Sequence, residues 1–94
     1  MFESKVLENE EIAFIGRLDA SQVEKASLIL QELSTSRTIN FKDLDYISSA
    51  GLGILLSNQK RLNSLGFGLK LVNLNKHIRD IFTFTGFDRI FTIE

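Results

Sequence analysis

The chain has 94 residues, of which 44% are hydrophobic and 24% are charged, and its formal net charge is -1. This length suits one small domain over residues 1–94, and a chain without cysteine has no disulfide or thiolate metal site. The near balance of 11 basic and 12 acidic residues gives no electrostatic footprint for nucleic acid. Apolar stretches too short for a membrane span, and a charged N-terminus unlike a signal peptide, predict a cytoplasmic protein without a membrane partner.

The spacing of apolar side chains predicts alternating strands and helices along the chain. Strands are predicted where apolar residues alternate, and helices where they recur every three or four residues. Ser21 and Glu24 match a capping box at the start of the first helix, whereas Asn75 and Gly86 match the cap and the stop of the last. In chain order the predicted elements are strands at Lys5–Leu7 and Glu11–Gly16, a helix at about Ser21–Leu33, a strand at Thr38–Phe41, a helix at about Leu52–Gly66, a strand at Gly68–Leu74, a helix at about Asn75–Thr85 and a strand at Arg89–Ile93.

This alternation predicts the fold class. Strands separated by helices of this size imply crossover connections and parallel pairing, while the first two strands form a hairpin that adds an antiparallel edge. We therefore predict an α/β fold with a mixed, mostly parallel sheet of four to five strands and about three main helices packed on it. Four phenylalanines near the C-terminus are predicted to pack the last helix on the sheet: Phe82, Phe84, Phe87 and Phe91.

The segment Asp45–Gly53 places two adjacent serines, Ser48 and Ser49, between a strand-like run and an apolar helical run. A serine in this position lies at a helix N-terminus, where the first backbone N–H groups have no partner inside the helix. A phosphate attached there would meet these donors and the positive end of the helix dipole. The segment therefore predicts a site at which a negative charge is added and removed.

Each residue of this segment also has a purely structural interpretation. Ser49 is either a phosphoacceptor or a plain helix N-cap, and Ser48 is a second acceptor candidate or a hydroxyl bonded to nearby backbone. Gly51 and Gly53 each weaken a helix by about 1 kcal/mol relative to alanine. Close approach of the sheet or of a partner would explain both glycines.

Few residues outside this segment suggest chemistry. Asp19 either caps the first helix or contacts a partner, and Asp45 is a solvated charge or part of a docking rim. His77 is the only histidine in a chain without cysteine, so we expect a solvated side chain and no metal site. The sequence has no phosphate-binding loop, no nucleophile–base pair and no paired carboxylates, so we expect no catalytic residue, no cofactor and no enzyme activity.

Five short motifs occur in one order along nearly the whole chain. They are Gly16–Asp19, matching a G-x-L-D turn; Ile39–Leu44, a central strand and its turn; Ser48–Gly53, matching a D-S-S/T-G-L-G motif; Leu69–Asn73, a later strand; and Thr85–Phe91, matching a closing T/S-G-L-x-x-x-F pattern. Each motif alone is weak, but five at the right spacing are specific. Together they resemble the STAS family and specifically the bacterial anti-sigma factor antagonists.

The resemblance implies a STAS fold and a partner switch. The unphosphorylated protein, a monomer when free, binds an anti-sigma factor that is a serine kinase and frees the sigma factor. The kinase then phosphorylates Ser49, the complex separates, and a serine phosphatase resets the cycle. The partner-binding residues implied by the alignment are Asp19, Asp45, Ser48, Ser49, Ala50, Gly51 and Gly53.

The alignment also shows a departure from the family pattern. Ser48 stands where the family has an aspartate before the phosphorylated serine, and Ala50 replaces a second hydroxyl. This difference supports an alternative hypothesis, in which the protein is a scaffold or accessory subunit of a transport or sensory complex without phosphate cycling.

Overall fold

A computed structural model describes residues 1–94. Six strands form one sheet, and three α-helices accompany it. The predicted α/β class is therefore confirmed, with one strand more than expected. The strands are β1 (Phe2–Val6), β2 (Ile12–Leu18), β3 (Arg37–Asn40), β4 (Leu44–Ile47), β5 (Leu69–Val72) and β6 (Thr92–Ile93); the helices are α1 (Val23–Gln31), α2 (Ser49–Ser64) and α3 (Lys76–Thr85), and short 3-10 turns occupy Ala20–Gln22 and Phe87–Arg89.

The sheet is parallel except at one edge, where β1 and β2 form the predicted antiparallel hairpin. β3 and β4 pair in succession with β2, through Ile12↔Ile39 and then Leu18↔Ile47. The strand order is β1-β2-β3-β5-β6, with β4 also paired to β2. The sequence prediction missed β4 because only the first and last of its four residues are buried, which gives no alternating pattern.

Twenty buried residues form the hydrophobic core, and a run of aromatic rings connects the sheet to α3. The Phe14 and Phe41 rings stack with centroids 6.1 Å apart, and Phe82 from α3 lies edge-on to Phe41 at 6.4 Å. Phe84 does not join this cluster, because 89% of it is exposed. The prediction for Phe84 was wrong because two residues along a helix rotate a side chain by about 200°, away from the face that carries Phe82.

The start of α1 differs from the predicted capping box. Asp19 caps the short turn that precedes α1: its Oδ1 accepts hydrogen bonds from the Ser21 backbone N at 3.0 Å and from Ser21 Oγ at 2.5 Å. A 3-10 turn follows, and α1 begins only at Val23. Ser21 is not the cap because it lies inside the 3-10 turn Ala20–Gln22, and α1 begins two residues later.

The ends of α3 lie where the sequence placed them. Asn75 Oδ1 accepts a hydrogen bond from the Ile78 backbone N at 2.8 Å, and Gly86 follows the helix in the left-handed conformation at φ 78°. The predicted strand Arg89–Ile93 is shorter, since Phe87–Arg89 forms a 3-10 turn and only Thr92–Ile93 pairs with β5.

None of the helices is both long and apolar enough to cross a membrane.

Candidate functional site

The two serines lie at one end of the sheet, between β4 and α2. β4 pairs in parallel with the end of β2, where Leu18 is the partner of Ile47. The Ser48 backbone N donates a hydrogen bond to the Leu18 carbonyl at 2.9 Å. Asp19 directly follows Leu18, so the parallel strands bring its backbone beside that of Ser48, and α2 begins at Ser49.

Ser48 is the N-cap of α2. Its backbone is extended, with φ -88° and ψ 168°, and its Oγ accepts a hydrogen bond from the Gly51 backbone N at 3.1 Å. The interpretation of Ser48 as a hydroxyl bonded to nearby backbone is therefore confirmed, and the interpretation of Ser49 as the cap was wrong. β4 continues to Ile47, which leaves a single residue between strand and helix, so the cap must be residue 48. Such a cap stabilises a protein by about 1 kcal/mol.

Ser49 is the first residue of α2 and has no comparable structural role. Its side chain is exposed to solvent and forms no hydrogen bond within the chain. The backbone N–H groups of Ser49 and Ala50 also have no acceptor, as expected for the first turn of a helix. An accessible hydroxyl therefore stands beside two unpaired donors at the positive end of a helix of 16 residues.

The two glycines of the segment have different surroundings. Gly51 is buried, and a Cβ on it would lie 3.0 Å from both Ile47 Cγ1 and Leu18 Cγ. Close packing inside the domain therefore explains Gly51. Gly53 is exposed, and a Cβ on it would meet nothing within 4 Å. Packing within this chain does not explain Gly53.

Asp19 carries a negative charge beside the serines. The hydrogen bond from the Ser21 hydroxyl is the main cause that lowers the pKa of its carboxyl below the ordinary value of 3.8, against a smaller opposing effect of desolvation. Asp19 caps the 3-10 turn before α1 and not α1 itself, whose N-cap Gln22 makes no side-chain hydrogen bond, and its contact with a partner stays a prediction. Asp45 is exposed on β4 and forms no ion pair.

A contact that the sequence did not reveal flanks the site. The guanidinium carbon of Arg17 lies 4.4 Å from the centroid of the Tyr46 ring, because Arg17 on β2 is in register with Tyr46 on β4. This distance is within the range of a cation–π interaction. No local sequence pattern predicts this contact, since it depends on the register between two strands.

The remaining titratable side chains give no second centre. His77 is exposed on α3, as predicted. No group of three or more His, Cys, Asp or Glu residues is placed to hold a metal ion.

Several known proteins resemble this chain over most of its length. Residues 5–94 match the family model of the STAS domain. The chain belongs to the STAS family. Over 87 residues, or 89% of this chain and 80% of the relative, it is 31% identical to the anti-sigma-B factor antagonist of Bacillus subtilis. Over 50 residues, or 53% of this chain, it is 44% identical to BtrV of Bordetella bronchiseptica, of which the matched segment spans only 43%.

Solved structures show the same fold. The anti-sigma factor antagonist SpoIIAA in its unphosphorylated form superposes with a TM-score of 0.71 at 22% identity, over 100% of this STAS chain and 87% of the other. Its phosphorylated form gives a TM-score of 0.70 at 23% identity, over 100% and 91%. At this identity the likeness concerns the fold.

Proposed function

We propose that this STAS protein is an anti-sigma factor antagonist that works by partner switching, without catalysing a reaction itself. Unphosphorylated, it binds an anti-sigma factor serine kinase; phosphorylated on Ser49, it is released until a serine phosphatase removes the phosphate. The observation that carries the proposal is the exposed, unbonded Ser49 hydroxyl at the start of α2. The name of the Bacillus subtilis relative and the two phosphorylation forms of SpoIIAA support it.

A phosphate on Ser49 has opposite consequences in the free and the bound protein. It adds a charge of about -1.5 to -2 and three strong hydrogen-bond acceptors. In the free protein it meets the unpaired N–H groups of Ser49 and Ala50 and the helix dipole, which favour it. Within a docked interface it is desolvated and repelled by acidic groups. A hundredfold loss of affinity requires only about 2.8 kcal/mol, so no refolding of this domain is needed.

The absence of the family's aspartate does not remove the helix cap. Ser48 accepts the hydrogen bond from the Gly51 backbone N that an aspartate would accept. Ser49 therefore keeps its position as the first helical residue, with the hydroxyl free.

Binding and phosphorylation of four variants test the proposal. We expect Ser49→Ala to bind the kinase tightly and to take up no phosphate in an intact-mass measurement with ATP. Ser48→Ala is the matched control and should still accept one phosphate. Ser49→Asp should bind at least about a hundredfold more weakly in calorimetry. Ser48→Asp keeps the cap and restores the family's residue, so it should still accept one phosphate.

Thermal unfolding separates loss of binding from loss of folding. An acidic residue in the first turn of a helix stabilises it by about 0.3–1 kcal/mol, so Ser49→Asp should unfold no earlier than the natural protein. Equal affinities of Ser49→Ala and Ser49→Asp for the kinase would refute the switch. If the kinase binds the natural chain but adds no phosphate, the alternative of a scaffold or accessory subunit of a transport or sensory complex is favoured.

A further inference from the structure

β1 forms one edge of the sheet, and its hydrogen-bonding groups alternate between β2 and solvent. The Met1 carbonyl accepts from the Arg17 backbone N at 2.8 Å, and the Leu7 backbone N donates to Glu11 at 2.8 Å. Successive backbone groups of a strand point to opposite sides, so the odd-numbered residues of β1 pair with β2. The N–H and C=O groups of Phe2, Ser4 and Val6 therefore point away from the sheet.

A side-chain contact supports this assignment. The Phe2 carbonyl accepts a hydrogen bond at 2.8 Å from Lys25 Nζ on α1, and not from β2. No strand covers this edge. Proline and β-bulges are two features that protect edge strands from pairing with another chain. β1 has neither, since it contains no proline and pairs with β2 without a bulge.

The side chains of β1 form a self-complementary pattern. Its sequence is Phe2-Glu3-Ser4-Lys5-Val6. If two copies run antiparallel with Ser4 opposite Ser4, then Glu3 of each copy faces Lys5 of the other, and Phe2 faces Val6. Glu3 and Lys5 are both exposed, and neither forms an ion pair within the chain.

We propose that β1 pairs with β1 of a second copy of this chain, antiparallel and centred on Ser4, so that two sheets join into one across a two-fold axis. In this register Ser4 is a hydrogen-bonded pair, which is the type required because its N–H and C=O groups point outward. Reciprocal bonds between Phe2 and Val6 extend the ladder on either side, with Lys25 Nζ sharing or releasing the Phe2 carbonyl. A two-fold interface must present one self-complementary patch, and the two Glu3–Lys5 pairs meet that condition.

Exposed apolar side chains near this edge fit the same occupant. Val6 is 65% exposed at the end of β1, and Leu28 is 62% exposed one helical turn after Lys25, the residue that reaches the edge. Pairing brings the exposed Val6 of one copy opposite Phe2 of the other, whose side chain is buried in its own core. An extended peptide of unrelated sequence would satisfy the backbone groups but not the two charge pairs.

Charge exchange at two positions tests the proposal. We expect the weight-average sedimentation coefficient of the natural protein to rise as its concentration is increased about 100-fold. Glu3→Lys and Lys5→Glu should each weaken association about tenfold or more, because the two-fold axis counts every altered pair twice. The double variant Glu3→Lys/Lys5→Glu regains complementary pairs and should associate like the natural chain.

Two further samples identify the interface. An equimolar mixture of the Glu3→Lys and Lys5→Glu chains should form a heterodimer, since each lysine then faces a glutamate. Lys60→Glu on the exposed side of α2 changes the net charge as Lys5→Glu does; it is the matched control for that variant and should leave association unchanged. A natural protein that stays monomeric throughout, or a double variant that does not recover, would overturn the proposal.

Discussion

Gly53 is a helical residue whose replacement should stabilise the free protein. It lies in the second turn of α2, it is exposed, and a Cβ built on it meets nothing within 4 Å. Glycine in a helix interior costs about 0.8–1 kcal/mol relative to alanine, and no steric clash opposes that gain here. We therefore expect Gly53→Ala to raise the free energy of unfolding by about 1 kcal/mol, which for a chain of this size raises Tm by roughly 4–8 °C.

Gly51, one half-turn earlier in the same helix, is the internal control. Alanine gains the same helix propensity there, but its Cβ would lie 3.0 Å from Ile47 Cγ1 and Leu18 Cγ. Both atoms belong to buried residues, so relief requires a shift of the core, and such overpacking costs about 1–3 kcal/mol. We expect Gly51→Ala to lower the free energy of unfolding by up to about 2 kcal/mol.

Urea unfolding followed by circular dichroism measures both changes on one scale. The midpoints should move in opposite directions from that of the natural protein, with an unchanged slope. If Gly53→Ala lowers the stability, or if both variants shift together, the surroundings inferred for these two positions are incorrect.

The same variant reports on partner binding. A glycine that weakens its helix and packs against nothing in the free protein is explained if a partner backbone approaches it closely. Gly53→Ala should then bind the anti-sigma factor kinase more weakly although it is more stable when free. Unchanged affinity in calorimetry would remove Gly53 from the proposed partner-binding residues.

Three further predictions concern residues around the site. Ser48→Ala should lower the free energy of unfolding by about 1 kcal/mol and Ser49→Ala by less than about 0.5 kcal/mol, because only Ser48 caps α2; equal losses in urea unfolding would contradict that assignment. Gly16→Ala should lower the free energy of unfolding by about 2 kcal/mol or more in the same assay, since φ is +92° and the new Cβ would collide with the Met1 carbonyl. A smaller loss would show that the Met1 backbone moves aside. Ser21→Ala should raise the Asp19 pKa towards 3.8 in an NMR titration, and an unchanged pKa would exclude the Ser21 hydroxyl as the cause of the lowering. A carboxyl with a lowered pKa contributes stability that is lost as the pH falls through that pKa. The variant should therefore lose less stability on acidification than the natural protein.

Local patterns predicted the fold better than they predicted the boundaries of its elements. Hairpin, parallel sheet and three helices follow from periodicity, and Asn75 and Gly86 act as cap and stop because both signals depend on adjacent residues only. The capping box at Ser21 fails because Ser21 lies inside a 3-10 turn that Asp19 caps, and α1 begins two residues later. The position of the cap at Ser48 depends on where β4 ends, and β4 is too short and too polar on its outer side to be recognised.

The features that the sequence did not predict depend on contacts between residues far apart in the chain. Helical spacing puts Gly51 on the face of Leu55 and Gly53 on the opposite face, but only the position of Leu18 across the sheet shows that a Cβ on Gly51 would clash. The contact between Arg17 and Tyr46 likewise requires the pairing of β2 with β4. Packing of this kind joins residues about 30 positions apart, which single-sequence periodicity does not report.

The division of roles between the two serines bears on how a switch can operate without disturbing its own fold. Ser48 holds the start of α2 through the Gly51 backbone N, so the Ser49 hydroxyl can be modified without loss of a structural bond. The cap is uncharged, and the N–H groups of Ser49 and Ala50 stay available for a phosphate. An aspartate cap would place a second negative charge at the same helix end and compete for its positive potential. In the proposed switch, a neutral cap thus confines the change in charge to the Ser49 side chain, and the free energy of switching comes from the partner interface.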